Sequence, residues 1–129
     1  MTSRKQRLQK LVKVQGQLKA LHETRHAGYL VTATAAGKEA AELAGRFDAE
    51  GSLSAMFPEI YHGRIGKALA RKDENTALAR LEAEKLAAAT ARTNMVEKAY
   101  RQARRRDDRD SADRERLDII ERNAARDDR

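Results

Sequence analysis

The sequence contains no cysteine and no tryptophan, and it has a single proline, Pro58, and only five phenylalanines or tyrosines among 129 residues. Without thiols there is no disulfide framework and no thiolate metal site. No apolar run approaches the roughly 20 residues that a membrane-spanning helix needs. No apolar segment follows the basic N-terminus, as it would in a secretory signal. We therefore expect a cytoplasmic chain that does not insert into a membrane.

Large aliphatic side chains are also scarce, since leucine, isoleucine, valine and phenylalanine together number 22. Such a content is thin for a globular core. In contrast, the chain has 24 alanines and abundant glutamate, lysine and arginine, a composition typical of long helices and coiled coils. We predict an all-α fold, in which two long helices form an antiparallel coiled-coil hairpin with a C-terminal helical overhang. Residues 1–129 are expected to be a single domain.

The turn signals predict where the two helices end. Gly51 suits a helix C-cap, and Ser52 or Ser54 suits the N-cap of the following helix. Pro58 then falls in the first turn of that helix, where its missing N–H costs little. The polar run 72–75 is the second choice for the bend. The predicted segments are helix 1 over about 4–49, the bend over about 50–55 and helix 2 over about 56–125.

Apolar residues spaced three and four apart predict the buried face of each helix. In helix 1 this stripe has a period of 3.6 and consists of Leu11, Val14, Leu18, Leu21, Arg25, Tyr29, Thr32, Ala36, Ala40, Leu43 and Phe47. In helix 2 it consists of Phe57, Ile60, Tyr61, Ile65 and Leu69, and then, with a drift in phase, of Leu78, Leu81, Ala88, Met95, Ala99 and Ala103. A turn near Gly51 would bring Phe47 against Phe57.

Several short motifs resemble catalytic or ligand sites, but none is complete. The run from His22 to His26 fits the H-E-x-x-H pattern of zinc proteases, yet the chain offers only His62 as a distant third ligand. The run 63–68 lacks the glycine spacing and the Ser or Thr of a phosphate loop. No nucleophile, base and orienting group can be assembled. We therefore predict that the chain is not an enzyme and binds no cofactor or metal.

Charge and aromatic residues are concentrated in different places. Residues 1–26 carry a net charge of +6, and a second basic cluster spans Arg104–Arg106. This charge is either an ordinary solvated helix face or a site for an acidic partner. Phe47, Met56, Phe57, Ile60 and Tyr61 crowd the predicted bend. They either close the bend or form a partner surface, because a hairpin tip has few neighbours to cover them.

Two alternative functions also fit the composition. A basic coiled coil could bind nucleic acid through its phosphates, although aromatic residues are not interleaved with the lysines and arginines, so no nucleic-acid partner is expected. A structural coiled coil could instead assemble with itself through its own apolar stripe. Salt-dependent DNA or RNA binding would indicate the first alternative, and a stable dimer would indicate the second.

The layout resembles the small stalk proteins of type III export, the flagellar FliJ type and its YscO-type virulence counterparts. Three features carry the resemblance: the basic run Arg7–Val12, the aromatic helix opening Phe57–Tyr61 continuing to Leu69, and the segment Glu97–Arg106 followed by a charged tail. The resemblance implies a two-helix antiparallel coiled coil similar to the central stalk of rotary ATPases. It also implies a cytoplasmic protein held near the membrane by the export apparatus.

The resemblance further implies two partners, with export chaperones as an additional candidate. In that family the paired terminal ends enter the pore of the hexameric export ATPase, and the bend contacts the cytoplasmic domain of the membrane export gate. Carried over by position, the ATPase-ring residues are Arg4, Lys5, Arg7, Lys10, Arg101, Arg104 and Arg105. The export-gate residues are Leu43, Phe47, Phe57, Tyr61, Arg64 and Leu69.

Overall fold

The computed structural model describes residues 3–128. Helix α1 runs over Arg4–Phe47 and helix α2 over Pro58–Asp127, and one turn of 3₁₀ helix, Leu53–Ala55, lies between them. The described residues contain no strand. The two long helices pack against each other, so the predicted all-α class is confirmed. α1 ends two residues earlier than predicted and α2 begins two residues later, so the segment between the two helices is longer than the predicted bend.

Local hydrogen bonds explain where the helices begin. The Ser3 hydroxyl accepts from the Gln6 N–H at 3.2 Å, and the Gln6 side-chain oxygen accepts from the Ser3 N–H at 3.1 Å. This reciprocal pair is a capping box, which satisfies two N–H groups that the first helical turn leaves free. Pro58 is the first residue of α2, as predicted, because proline there loses no hydrogen bond that the helix would make.

Two serines and a glycine shape the bend. Ser54 is buried, and its hydroxyl donates to the main-chain oxygen of Phe47 at 2.7 Å, at the end of α1. Ser52 accepts from the Ser54 N–H at 3.1 Å and caps the 3₁₀ turn. Gly51 has a φ of 76°, in the left-handed region that favours glycine. It lies in the turn, four residues after α1 ends, so the predicted helix C-cap at Gly51 is wrong.

The described residues divide into two compact units. We call residues 19–89 the bend unit, and the residues up to Leu18 and from Thr90 onward the terminal unit. Each unit contains a segment of α1 packed against a segment of α2. This division does not test the prediction of a single domain, which stays a prediction.

In the bend unit, the residues between the helices alternate in steps of three and four. Eight steps cover 28 residues on each helix, a period of 3.5. We call these residues the seam: on α1 Lys19, His22, His26, Tyr29, Ala33, Ala36, Ala40, Leu43 and Phe47, and on α2 Tyr61, Ile65, Ala68, Lys72, Asn75, Ala79, Glu82, Leu86 and Ala89. All are buried or half-buried except Lys72, which is exposed and whose side chain lies beside Gly37 on α1. The most buried apolar members of the seam are alanines, with Leu43 as the exception. Small side chains allow a close approach of the two helices.

The seam corrects the predicted stripes over part of their length. The prediction holds from Ala36 to Phe47, whereas Leu21, predicted to be buried, is 42% exposed. On α2, Leu69 and Leu81 are 44% and 53% exposed. A stripe with a period of 3.6 residues rotates around the helix by about 20° per heptad relative to a seam with a period of 3.5 residues. Along a long helix, the stripe and the seam therefore come to lie on different faces.

The paired residues follow a reversed order along the two helices of the bend unit. Phe47 contacts Tyr61, Glu39 pairs with Arg71 at 2.9 Å, and His22 contacts Glu82 at 2.8 Å. The ring partners of Phe47 are Tyr61 and His62. The predicted pairing with Phe57 is therefore wrong by about one helical turn.

The terminal unit continues the same spacing. Its seam consists of Lys5, Leu8, Val12 and Gln15 on α1 and of Thr93, Val96, Tyr100 and Ala103 on α2. The Thr93 hydroxyl donates to the main-chain oxygen of Gln15 at 3.3 Å. From residue 104 to 128 every residue is exposed except Ala112, which is half-buried.

Candidate functional site

The cations predicted to enter an ATPase ring all belong to the terminal unit. Arg4 and Lys5 line one surface concavity together with Ala99, Gln102, Ala103, Arg106 and Asp107. The start of α1 therefore lies beside the arginine-rich part of α2. Arg106, which the predicted set omits, belongs to this concavity, and its place in the Arg104–Arg106 cluster could have indicated it.

These cations are available to a partner. Arg4, Arg7, Lys10, Arg101, Arg104 and Arg105 are exposed, and Lys5 is half-buried in the seam. Among residues 3–128 none of the seven forms an ion pair. No acidic residue occurs between residues 4 and 22. A cluster of unpaired cations produces a positive potential that attracts an acidic partner.

The predicted gate residues all belong to the bend unit, where they fall into an inner and an outer group. Phe47 and Tyr61 are half-buried, with ring centroids 6.2 Å apart in an edge-to-face arrangement. Such aromatic pairs contribute about 0.5–1.5 kcal/mol beyond their buried area. Leu43 is only 3% exposed. These three residues hold α1 and α2 together near the bend, and Leu43 presents no surface to a partner.

The outer group is an exposed apolar surface. Phe57 is 47% exposed, and its neighbours Leu53, Met56 and Ile60 are also exposed. We call these four residues the bend patch. Arg64 and Leu69 are exposed as well. Of the two interpretations of the aromatic cluster, the inner pair fits closure of the bend, whereas the bend patch leaves large apolar side chains in solvent, as partner sites do.

A buried acid in the seam is the feature that sequence reasoning missed. Glu82 is 5% exposed, and its carboxylate contacts the His22 Nδ1 at 2.8 Å and the Lys85 Nζ at 3.6 Å. The hydrogen bond with His22 holds the pKa of Glu82 below its ordinary value of 4.5, and the positive charges of Lys85 and Arg25 act in the same direction. A seam of period 3.5 would have identified Glu82, because it lies three residues after Ala79 and seven before Ala89.

Glu82→Gln is expected to lower stability at neutral pH and to reduce the loss of stability in acid. The pKa of Glu82 is lower in the folded chain than the ordinary 4.5, so its contribution is complete above that value and is lost as the pH falls below it. The difference in unfolding free energy between the wild type and the variant should therefore be complete well above 4.5 and shrink progressively as the pH falls below that value. Urea titrations at several pH values measure it. Glu84→Gln, at an exposed position, is the control, and a difference independent of pH would contradict the assignment.

The same contacts bear on metal chemistry. The His22 ring, first residue of the H-E-x-x-H run, is engaged with Glu82 on the other helix. Within residues 3–128 no group of three or more His, Cys, Asp or Glu side chains is arranged to hold a metal ion. The His22–Glu82 pair is a seam contact that joins α1 to α2.

No helix within residues 3–128 carries an apolar stretch long enough to cross a membrane. Comparison of the chain with protein-family models, curated proteins and solved structures finds no match.

Proposed function

We propose that this chain is a non-enzymatic central-stalk or adaptor protein of a type III export apparatus, folded as an antiparallel coiled-coil hairpin with a C-terminal helical overhang. Two observations support this fold. The paired residues follow a reversed order along the two helices of the bend unit, and the seam repeats every 3.5 residues, as coiled coils do. The protein works in the cytoplasm, next to the membrane that holds the export gate.

The observation that carries the proposal is the unpaired positive charge of the terminal unit. Arg4 and Lys5 at the start of α1 line one concavity with Arg106, a member of the Arg104–Arg106 cluster, and none of the predicted ring residues is neutralised by an ion pair within residues 3–128. A concentrated positive surface suits an acidic pore, and exposed charge pairs are individually weak. The terminal unit can therefore be attracted into the pore of the ATPase ring without being bound tightly there.

The second contact of the proposal is the bend patch. Phe57 and the exposed Arg64 and Leu69 would touch the cytoplasmic domain of the export gate. Phe47, Tyr61 and Leu43, which pack between α1 and α2, would support this part of the chain. The chain then couples two partners, the hexameric ATPase and the gate. Export chaperones are a further candidate partner.

The direct test is to titrate the protein into its export ATPase and to follow ATP hydrolysis and ring formation. Both are expected to increase. The variant Arg4→Gln, Arg7→Gln and Arg105→Gln should raise the concentration for half-maximal stimulation by about tenfold or more, because it removes three exposed charges from the proposed contact.

A matched control separates local charge from net charge. Lys38→Gln, Lys67→Gln and Arg80→Gln change three exposed cations of the bend unit and should leave the stimulation unchanged. Hydrolysis that stays constant at saturating wild-type protein would refute the stalk proposal. Tight binding to duplex DNA that weakens steeply with salt would instead favour the nucleic-acid alternative.

A further inference from the structure

The terminal unit exposes a row of aliphatic side chains beside its seam. Leu11, Val14 and Leu18 are 41%, 48% and 38% exposed. They are spaced three and four residues apart, so they lie along one face of α1. We call these three residues the outer stripe. Leu11 and Val14 each precede a seam residue, Val12 and Gln15, by one position, which places the stripe at one side of the seam.

α2 adds an apolar side chain on the same side. Met95 is 72% exposed and precedes the seam residue Val96 by one position. The two helix segments run in opposite directions, because Gln15 meets Thr93 whereas Arg4 lies beside Ala103. In such a pair, the positions that precede the seam by one face the same side on both helices. The outer stripe and Met95 therefore border one groove.

Positive charge lies on the same side as this groove. Arg7 and Arg92 are exposed and precede the seam residues Leu8 and Thr93 by one position, and the sequence has no acidic residue from residue 4 to residue 22. A helix that covers the groove must therefore be apolar on one face and acidic beside it.

The C-terminal part of α2 has this chemistry. Leu117, Ile119 and Ile120 are 57%, 55% and 61% exposed. Residues 107–128, which we call the acidic tail, contain nine acidic residues against five arginines, a net charge of −4. The tail cannot turn back onto the groove of its own chain, since α2 is one helix from Pro58 to Asp127. A second copy of the chain can supply it.

We propose that two copies form a twofold dimer in which the acidic tail of each covers the groove of the other. Leu117 and Ile120 are three residues apart and therefore lie on one face of α2. Side chains spaced in this way can pack between the two helices of a pair when a third helix lies against it. Opposite net charges on the tail and the groove rim favour this pairing. The contact is self-complementary, so it closes after two copies and leaves no open end. This proposal does not depend on the export function.

Sedimentation equilibrium over a dilution series tests the dimer. The wild type is expected to dimerise, more weakly at high salt because part of the attraction is electrostatic. The tail variant Leu117→Asp with Ile120→Asp and the groove variant Val14→Asp with Leu18→Asp should each raise the dimer dissociation constant by at least about tenfold. Leu81→Asp changes an exposed leucine of the bend unit and should leave it unchanged.

Mixing the two variants gives the decisive measurement. The tail variant keeps an intact groove and the groove variant keeps an intact tail, so one tail–groove contact can form between them but none within either variant alone. The mixture should therefore dimerise more tightly than either variant, with helicity checked by circular dichroism. A monomeric wild type, a dissociation constant unaffected by the tail variant, or a mixture no tighter than its components would each overturn the proposal.

Discussion

Ala68→Leu is expected to lower the free energy of unfolding by about 1–3 kcal/mol, which is the usual cost of overpacking a close contact. Ala68 is 0% exposed, the least exposed of the buried apolar residues. It lies in the seam where α1 and α2 approach through small side chains. A leucine there must push the helices apart or adopt a strained rotamer. Thermal and urea unfolding followed by circular dichroism measure the loss.

The matched control for this prediction lies two residues away. Ala70 is exposed on α2, and alanine and leucine have similar helix propensities. Ala70→Leu should therefore change stability by less than about 0.5 kcal/mol. Equal effects of the two substitutions would contradict the close-packed alanine seam.

Phe57→Ala combined with Ile60→Ala is expected to weaken binding to the gate's cytoplasmic domain by about thirtyfold or more, as the loss of interface hot spots does. Both side chains belong to the bend patch and are 47% and 57% exposed. Neither takes part in the ring contact between Phe47 and Tyr61, so helix packing should survive. Titration calorimetry measures the affinity, and circular dichroism measures the helicity.

The control for the bend patch removes similar aliphatic surface elsewhere in the bend unit. Val31 and Leu81 are 69% and 53% exposed, and changing both to alanine should leave gate binding intact. If Phe57→Ala with Ile60→Ala instead reduces helicity or the melting temperature, the patch serves to close the bend. That outcome would remove the gate contact from the proposal without touching the ATPase contact.

Local sequence signals predicted the parts of the fold that depend on neighbouring residues. Proline at the start of α2 and a turn around Gly51 and the two serines follow from backbone sterics and hydrogen bonding. The predicted caps were wrong, because Gly51 lies beyond the end of α1 and Ser52 caps the 3₁₀ turn and not α2. The buried stretch from Ala36 to Phe47 was also predicted, because there the apolar stripe and the seam coincide.

The candidate sites were predicted less evenly. The basic run at the start of α1 and the arginines near residue 105 were visible in the sequence, and the structure places them together in one unit. The outer stripe was expected to be buried and is exposed. Glu82, in contrast, was not considered and proves to be buried beside His22. Hydrophobicity alone could not show that the outer stripe is exposed and Glu82 buried, since a narrow seam favours small residues over large ones.

The sequence by itself determined that the described chain is helical, where its bend lies and which regions carry charge, because these properties depend on composition and on residues a few positions apart. Only the tertiary structure decided which face of each helix is covered. That choice depends on the register of the two helices and on how closely their backbones approach. A shift of one residue rotates the face by about 100°. It is this shift that leaves Val12 and Gln15 half-buried in the seam and Leu11 and Val14 exposed.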